Sequence, residues 1–408
     1  MKLLNLLKIN YGHLLFALAV FVSALDNGLG LNFLTLFIVV TWVMAFFSKS
    51  TMQVRLPLPQ KVACLMFAAV YLSFIVSEFI TFGDLDEAYS VAARYVAVGL
   101  LGVIVLSCMR HEITFDSFSP WIGVVAILYA ILALIQAYVE QTNRIGLGIN
   151  PIPTAMISVQ LMFWCGCAAL VRNKVPAVVL LGAVCAFWVV YLTGSRMPLA
   201  VSIYLLVIWV LFTKQAARTR ILAVLGCVLI VPVLGILVPG GSTGTFDRFA
   251  EVDLAVMTAI ASEDPSVNVA SSASGMHRAW IWKAGFDLIL QQPWFGWGRG
   301  MGVTDQALMA VQVPDVVRAH PHFHNELIDT SVRFGVPAAV LLVLSYAGLF
   351  GTARTRHQLL VVFVFLSQFF ALSLTDAFLS RRTTQWMFVF TVTLLLLYTS
   401  PNVKKKTE

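Results

Sequence analysis

SPWIGVVAILYAILALIQAY, from Ser119 to Tyr138, holds twenty residues without one charged side chain. At 1.5 Å of rise per residue such a run crosses the roughly 30 Å of a bilayer's hydrocarbon core as a helix, satisfying every backbone amide within itself. The rest of the chain repeats the pattern. Of 408 residues, 59% are hydrophobic and only 12% charged, with a mean hydropathy of +0.87, whereas a soluble chain carries about a quarter charged residues. Apolar runs recur at about residues 9–25, 29–47, 62–77, 95–109, 119–138, 152–171, 175–193, 197–213, 221–238, 335–352, 357–375 and 384–400. The expected fold is therefore an all-α polytopic membrane protein of about twelve transmembrane helices. Several runs reach only 15 to 17 residues, at the short limit for a span. The first run has no small-residue cleavage site and leads straight into the second, so it is expected to stay as a span.

The connecting segments orient the chain. With both termini on the cytoplasmic side, the inner segments collect Lys2, Lys8, Lys49, Arg55, Lys61, Arg110, Arg172, Lys174, Lys214, Arg218, Arg220, Arg354, Arg356 and Lys404 to Lys406, which is 16 of 27 basic residues. They hold only Glu112, Asp116 and Glu408 of 20 acidic ones. That asymmetry follows the positive-inside rule. The net charge of +7 thus reflects topology, and no basic motif points to nucleic acid. All six cysteines fall inside apolar runs, where they serve as small packing residues.

Three parts follow: residues 1–238 with nine spans, 239–334 as one large outer loop, and 335–408 with three spans and a basic tail. The loop contains Gly/Ser-rich stretches at 238–246 and 262–275 and two amphipathic pieces, 277–291 and 324–334. Both pieces read as helices at the membrane surface, with Pro293, Gly335 and Pro337 as stop signals. A transporter would place its charges at mid-membrane, as the GINPIP segment (148–153) allows if it breaks a helix. Here His277, His320, His322 and His324, four of seven histidines, sit in one loop, which favours chemistry at the interface.

HPHFHNELIDTSVRFG (His320 to Gly335) admits three readings. Closely spaced imidazoles can share a cation, although Pro321 interrupts the run and no second ligand cluster stands nearby. His324, at a helix start, can act as a general base near neutral pH. A solvated loop histidine is the third. Arg278 and Trp282, four apart, share a helix face; an arginine fork suits phosphate oxygens or snorkels to headgroups. Arg196, in the TGSRMPLA turn, lies on the outer side, where basic residues are scarce. It either pairs with Asp84, Asp86 or Glu87 or serves a site. LTDAFLSRRTTQW (374–386) brings Asp376, Arg381 and Arg382 to the same boundary, where Asp376 pairs with a neighbouring arginine, orients a histidine or positions an acceptor hydroxyl. In PWFGWGRG (293–300), glycines admit close backbone approach, and Trp297 can stack on a sugar or belong to the interfacial aromatic belt.

GSR at an outer turn, R-x-x-x-W at Arg278 and Trp282, P-x-x-G-x-G-x-G from Pro293 to Gly300, and H-N-x-L at His324, Asn325 and Leu327 followed by Gly335 together resemble the O-antigen ligase and polymerase superfamily. The resemblance implies a GT-C-like inner-membrane glycosyltransferase, multi-pass, with its active site on the periplasmic side. It implies transfer of a glycan from undecaprenyl diphosphate to a sugar of lipid A-core among membrane lipids, completing lipopolysaccharide without nucleotide or metal. On this reading Arg196, Arg278 and His324 are catalytic, the arginines holding the diphosphate. Trp282, Trp297, Asn325, Asp376 and Arg382 contact substrate. Related readings are an O-antigen polymerase and a protein O-oligosaccharyltransferase; the polytopic transporter is the most distant.

Overall fold

A computed structural model describes residues 11–25, 27–47, 55–140, 145–147, 150–172, 175–213, 225–226, 274–299 and 322–400. The described residues form helices, with no strand among them. Eleven of the twelve expected spans coincide with helices: Tyr11–Leu25, Asn27–Phe47, Leu58–Phe82, Leu85–Gly99 continued by Leu101–Arg110, Phe115–Glu140, Pro151–Val171, Ala177–Leu192, Arg196–Phe212, Val336–Phe350, Arg356–Ser373 and Arg382–Thr399. The ninth run apart from residues 225–226, His320 and the basic tail lie outside the described residues, as does most of the two Gly/Ser-rich stretches. Among the described residues, five helices are long and apolar enough to cross a membrane: Leu58–Phe82, Leu85–Arg110, Phe115–Glu140, Pro151–Val171 and Arg356–Ser373. Most of the others run to 10–17 residues. The chain is thus a helical membrane protein.

Local chemistry sets the helix starts. Asn150 Oδ1 accepts the Ile152 N–H, and Pro151 occupies the first turn of its helix, where a missing N–H costs nothing. The GINPIP segment is therefore a capped helix start as far as it is described. Thr355 and Gln358 form a reciprocal capping box. Gly83, at φ 65°, ends the Leu58–Phe82 helix in the left-handed conformation that glycine adopts freely.

Packing is densest at the centre. Pro151–Val171 is 89% buried inside the protein against 39% for Leu58–Phe82, and Arg382–Thr399 is buried on nearly every side. Buried Phe67 and Phe365 both pack on Phe388 of that last helix, and Phe16 packs on Phe118. The peripheral helices instead show apolar side chains outward, including Leu65, Leu72, Ile135, Leu211 and Phe370. A surface of that kind matches hydrocarbon rather than water. The five described cysteines are unbridged and buried or half-buried, as their setting in apolar runs leads one to expect.

Successive helices run antiparallel, so the bundle has two ends. Arg110, Phe115, Arg172, Arg356 and Tyr398 mark one, joined by the Arg172–Asp116 pair and the Gln358 bond to the Tyr398 carbonyl. Phe82, Arg94, Thr193, Arg196, Gly335 and Ser380 mark the other. Both amphipathic pieces of the large loop are helical, at Ser274–Gln291 and Glu326–Phe334, and they pack at this second end.

Candidate active site

Between those two helices lies a small core of their own: Ile281, Ala284, Leu288, Phe323, Ile328 and Val332, with Trp280, Trp282 and Trp297 against it. Trp297 donates its indole N–H to the Leu288 carbonyl at 3.0 Å. The PWFGWGRG strap continues the fit. Trp297 N–H donates to Val332 O at 2.7 Å and Gly298 N–H to Arg333 O at 2.9 Å. The Arg299 amide then reaches both oxygens of buried Glu78, at 3.0 and 2.8 Å. Glycine is required here for close packing: a Cβ on Gly296 would stand 2.5 Å from Val332 O, and one on Gly335 2.1 Å from Trp294 O. Both glycines hold positive φ. These contacts bind the strap to protein backbone, and they use the glycines for that purpose.

The strap supports the segment that precedes the Glu326–Phe334 helix. Asn325 caps that helix, its Oδ1 accepting the Leu327 and Ile328 amides at 3.0 and 3.2 Å. Asp329 reaches back to the Phe323 amide at 3.2 Å and pairs with Arg333 at 3.0 Å. Between Phe323 and Asn325, His324 is held at φ 48°. The left-handed region costs a residue with a Cβ about 1–2 kcal/mol, and such strain tends to collect at functional positions.

That bend turns His324 towards Asp376. His324 Nδ1 stands 3.7 Å from Asp376 Oδ1, His322 Nε2 stands 2.5 Å from the same oxygen, and Arg381 Nε lies 3.5 Å from Oδ2. The two imidazole rings are 4.2 Å apart at their centroids. Asp376 is 1% exposed. Burial alone would raise its carboxyl, but contact with His322 and the nearby Arg381 and His324 outweigh burial and hold it below the usual carboxylate value. Arg278, from the other loop helix, lies in the field of Asp376 and of Arg196. Burial pulls its guanidinium below the usual value, Asp376 works against that shift, and Arg196 adds to it. Four distant stretches of sequence thus bring His324, Asp376, Arg278 and Arg196 into one electrostatic neighbourhood.

The ligand atoms of His322, His324 and Asp376 all lie within 4.8 Å of one another, a composition that suits a divalent cation. Metal bonds of about 2.0–2.2 Å would hold neighbouring ligand atoms roughly 3 Å or more apart. The 2.5 Å between His322 Nε2 and Asp376 Oδ1 is instead direct contact, with no room for an ion between them. The donor set fits a metal in kind and not in spacing.

Among the other residues singled out from sequence, Trp282 is partly buried in the small core, and Arg382 is exposed at the start of its helix, in the field of Arg94. Arg94 itself donates to Ser380 O at 3.1 Å. Sequence reasoning gave no task to His322, Glu326, Asp329, Arg333 or Glu78. The four-residue spacings of Glu326 to Thr330 and Asp329 to Arg333 were visible in the sequence. Their burial was not. An apolar cleft lined by Met162, Leu170, Leu180, Leu206 and Trp209 sits towards the opposite end and carries no acid, base or arginine for chemistry.

A family model described as O-antigen ligase matches residues 181–343. The match contains Arg196, Arg278, Trp282, Trp297, His324 and Asn325, and it ends before Asp376 and Arg382. No curated protein matches the chain. The resemblance drawn from the motifs therefore stands, and this stretch carries the domain of that family.

Proposed function

We propose that the protein is an O-antigen ligase: an inverting, metal-independent glycosyltransferase that moves a glycan from undecaprenyl diphosphate to a sugar hydroxyl of lipid A-core on the periplasmic face. The observation that carries this reading is the convergence of His324, Asp376, Arg278 and Arg196 at the end of the bundle where both loop helices pack. Asp376 faces Nδ1 of His324, so a proton on Nδ1 leaves the Nε2 lone pair available as a base. Nε2 takes the proton of the acceptor hydroxyl, whose oxygen forms a bond to the anomeric carbon. The bond from that carbon to the diphosphate oxygen breaks, and its electron pair leaves with undecaprenyl diphosphate. Arg278 and Arg196 offset the charge that grows there. A single in-line displacement inverts the anomeric centre.

Arg382 and the tryptophans are assigned to substrate: Arg382 to anionic groups, Trp282 and Trp297 to the rim against which sugars pass. Asn325 acts through the cap that sets the direction of His324. A polymerase, which passes the same donor glycan to a second lipid-linked glycan, uses identical donor chemistry and differs in acceptor. The test is transfer by the purified protein in detergent with EDTA, from a lipid diphosphate-linked glycan to lipid A-core, for wild type and His324→Ala. Transfer that the substitution abolishes in a folded protein is expected. Lengthening of the donor glycan in place of transfer would establish the polymerase.

A further inference from the structure

Glu326 stands two residues beyond His324 and is 1% exposed. Both of its oxygens are engaged. Oε2 accepts the Leu379 N–H at 2.9 Å, and Oε1 lies 3.2 Å from Thr330 Oγ1. Leu379 belongs to the turn that carries Asp376 and leads into Arg381 and Arg382. One carboxyl thus fastens the segment bearing the histidines to the segment bearing their carboxylate partner. Asp376 and His324 make contact only if these two segments, about fifty residues apart in sequence, keep a fixed distance.

We propose that Glu326 is a positioning residue of the transfer site, holding the His322–Asn325 segment against the Asp376 turn through the Leu379 amide, and that it does so as the neutral carboxylic acid. The proposal rests on the transfer reading above. Glu326 forms no ion pair among the described residues. Asp329 and Thr330 face it from its own helix, Asp376 and the Leu379 amide from the turn, Tyr346 from the Val336–Phe350 helix and Tyr95 from the Leu85–Gly99 helix. Arg333 is engaged by Asp329. A carboxylate buried among two acids and two phenols has no cation to offset its desolvation. Burial accordingly raises Glu326 to about 8, the two nearby acids add to the rise, and the Leu379 and Thr330 bonds offset part of it. As the acid, Glu326 keeps the amide tie and leaves Asp376 as the charge that faces the histidines. Ionised, it would set a second negative charge beside Asp376.

The test uses the full-length protein in detergent, comparing wild type, Glu326→Gln and Glu326→Ala for transfer from about pH 6 to about pH 9.5. Hydrogen exchange of the peptide containing Leu379 is followed in the same samples. Gln accepts the Leu379 amide and carries no charge, so Glu326→Gln is expected to retain the neutral-pH rate and to lose the fall in rate that wild type shows above pH 8. Glu326→Ala is expected to lower kcat roughly 100-fold with donor KM unchanged, as misplacement of a catalytic group does, and to unprotect the Leu379 amide. A rate for Glu326→Gln as low as that of Glu326→Ala, or full activity in Glu326→Ala, overturns the proposal. If wild type transfers no glycan, the transferase reading falls, while the exchange data still decide the tie. Protection lost in Ala and kept in Gln supports it, and equal protection in all three proteins refutes it.

Discussion

The two ends of the helical bundle handle charge in opposite ways. At the end marked by Arg110 and Arg172, the arginines are half-buried and the acid of the pair faces outward. Asp116 is 67% exposed where it meets Arg172 at 3.1 Å, and Arg110 covers the Trp42 ring from 5.7 Å. At the other end, Glu78, Glu326, Asp329, Arg333 and Asp376 are all under 10% exposed. Each is fixed by a backbone amide or an opposite charge. A solvated ion pair contributes about 0–1 kcal/mol. A buried, paired charge contributes little net stability, yet removing one partner leaves the other stranded at a cost of about 3–5 kcal/mol. The first end can tolerate change, and the second is built to hold side chains in place.

This contrast can be broken most sharply at His324. His324→Ala should lower the transfer rate by about 100 to 10,000-fold, the range for loss of a general base, with the melting temperature in detergent preserved. Transfer at the wild-type rate would remove His324 from the chemistry. A comparable but smaller loss, about 100 to 1,000-fold, is expected for Arg278→Ala, by analogy with removing one electrostatic stabiliser of a developing anion. It is read from kcat/KM for the lipid-linked donor.

Next comes stability. Asp329→Ala strands Arg333 and releases the Phe323 amide, so unfolding should be easier by about 3–5 kcal/mol, measured by thermal and denaturant melts. The pH dependence of the same melts sharpens the point. Glu326 is raised from 4.5 to about 8 in the folded protein. Between those values the folded chain holds a proton that the unfolded chain has released. Stability from this group therefore falls as pH rises through the window and levels off above it, by about 1.4 kcal/mol per pH unit at most. Glu326→Gln should flatten that slope. The smallest effect is expected at the opposite end, where Arg172→Ala should change stability by less than about 1 kcal/mol. A loss of several kcal/mol there would end the distinction between the two ends.

Much of this layout was legible in the sequence. Apolar runs set the helix positions because hydrocarbon admits only backbones that satisfy themselves, and the Ser119–Tyr138 run falls inside the Phe115–Glu140 helix. Stop signals at Pro293 and Gly335 agree with loop helices that end at Gln291 and Phe334, whereas the caps at Asn150 and Asn325 emerged only with the structure. Short runs were misleading in extent: 95–109 is the second part of a helix that begins at Leu85, because the Asp86–Glu87 turn hides an amphipathic start. His324, Arg278 and Arg196 were singled out from motifs as candidates. His322 was left without a task because the sequence cannot reveal that its ring contacts Asp376, which follows it by more than fifty residues.

The sequence by itself determined that this chain is helical and apolar, since length and hydropathy act over a few residues. It also placed most charged residues between the apolar runs and four of the seven histidines in the large loop. Only the tertiary structure decided which groups meet. The pairing of Asp376 with two histidines, the strained backbone of His324, the strap seated through Gly296 and Gly335, and the tie from Glu326 to Leu379 all join separate segments. Burial, which turns a weak surface contact into a strong and directional one, is a property of that assembly and not of any one stretch.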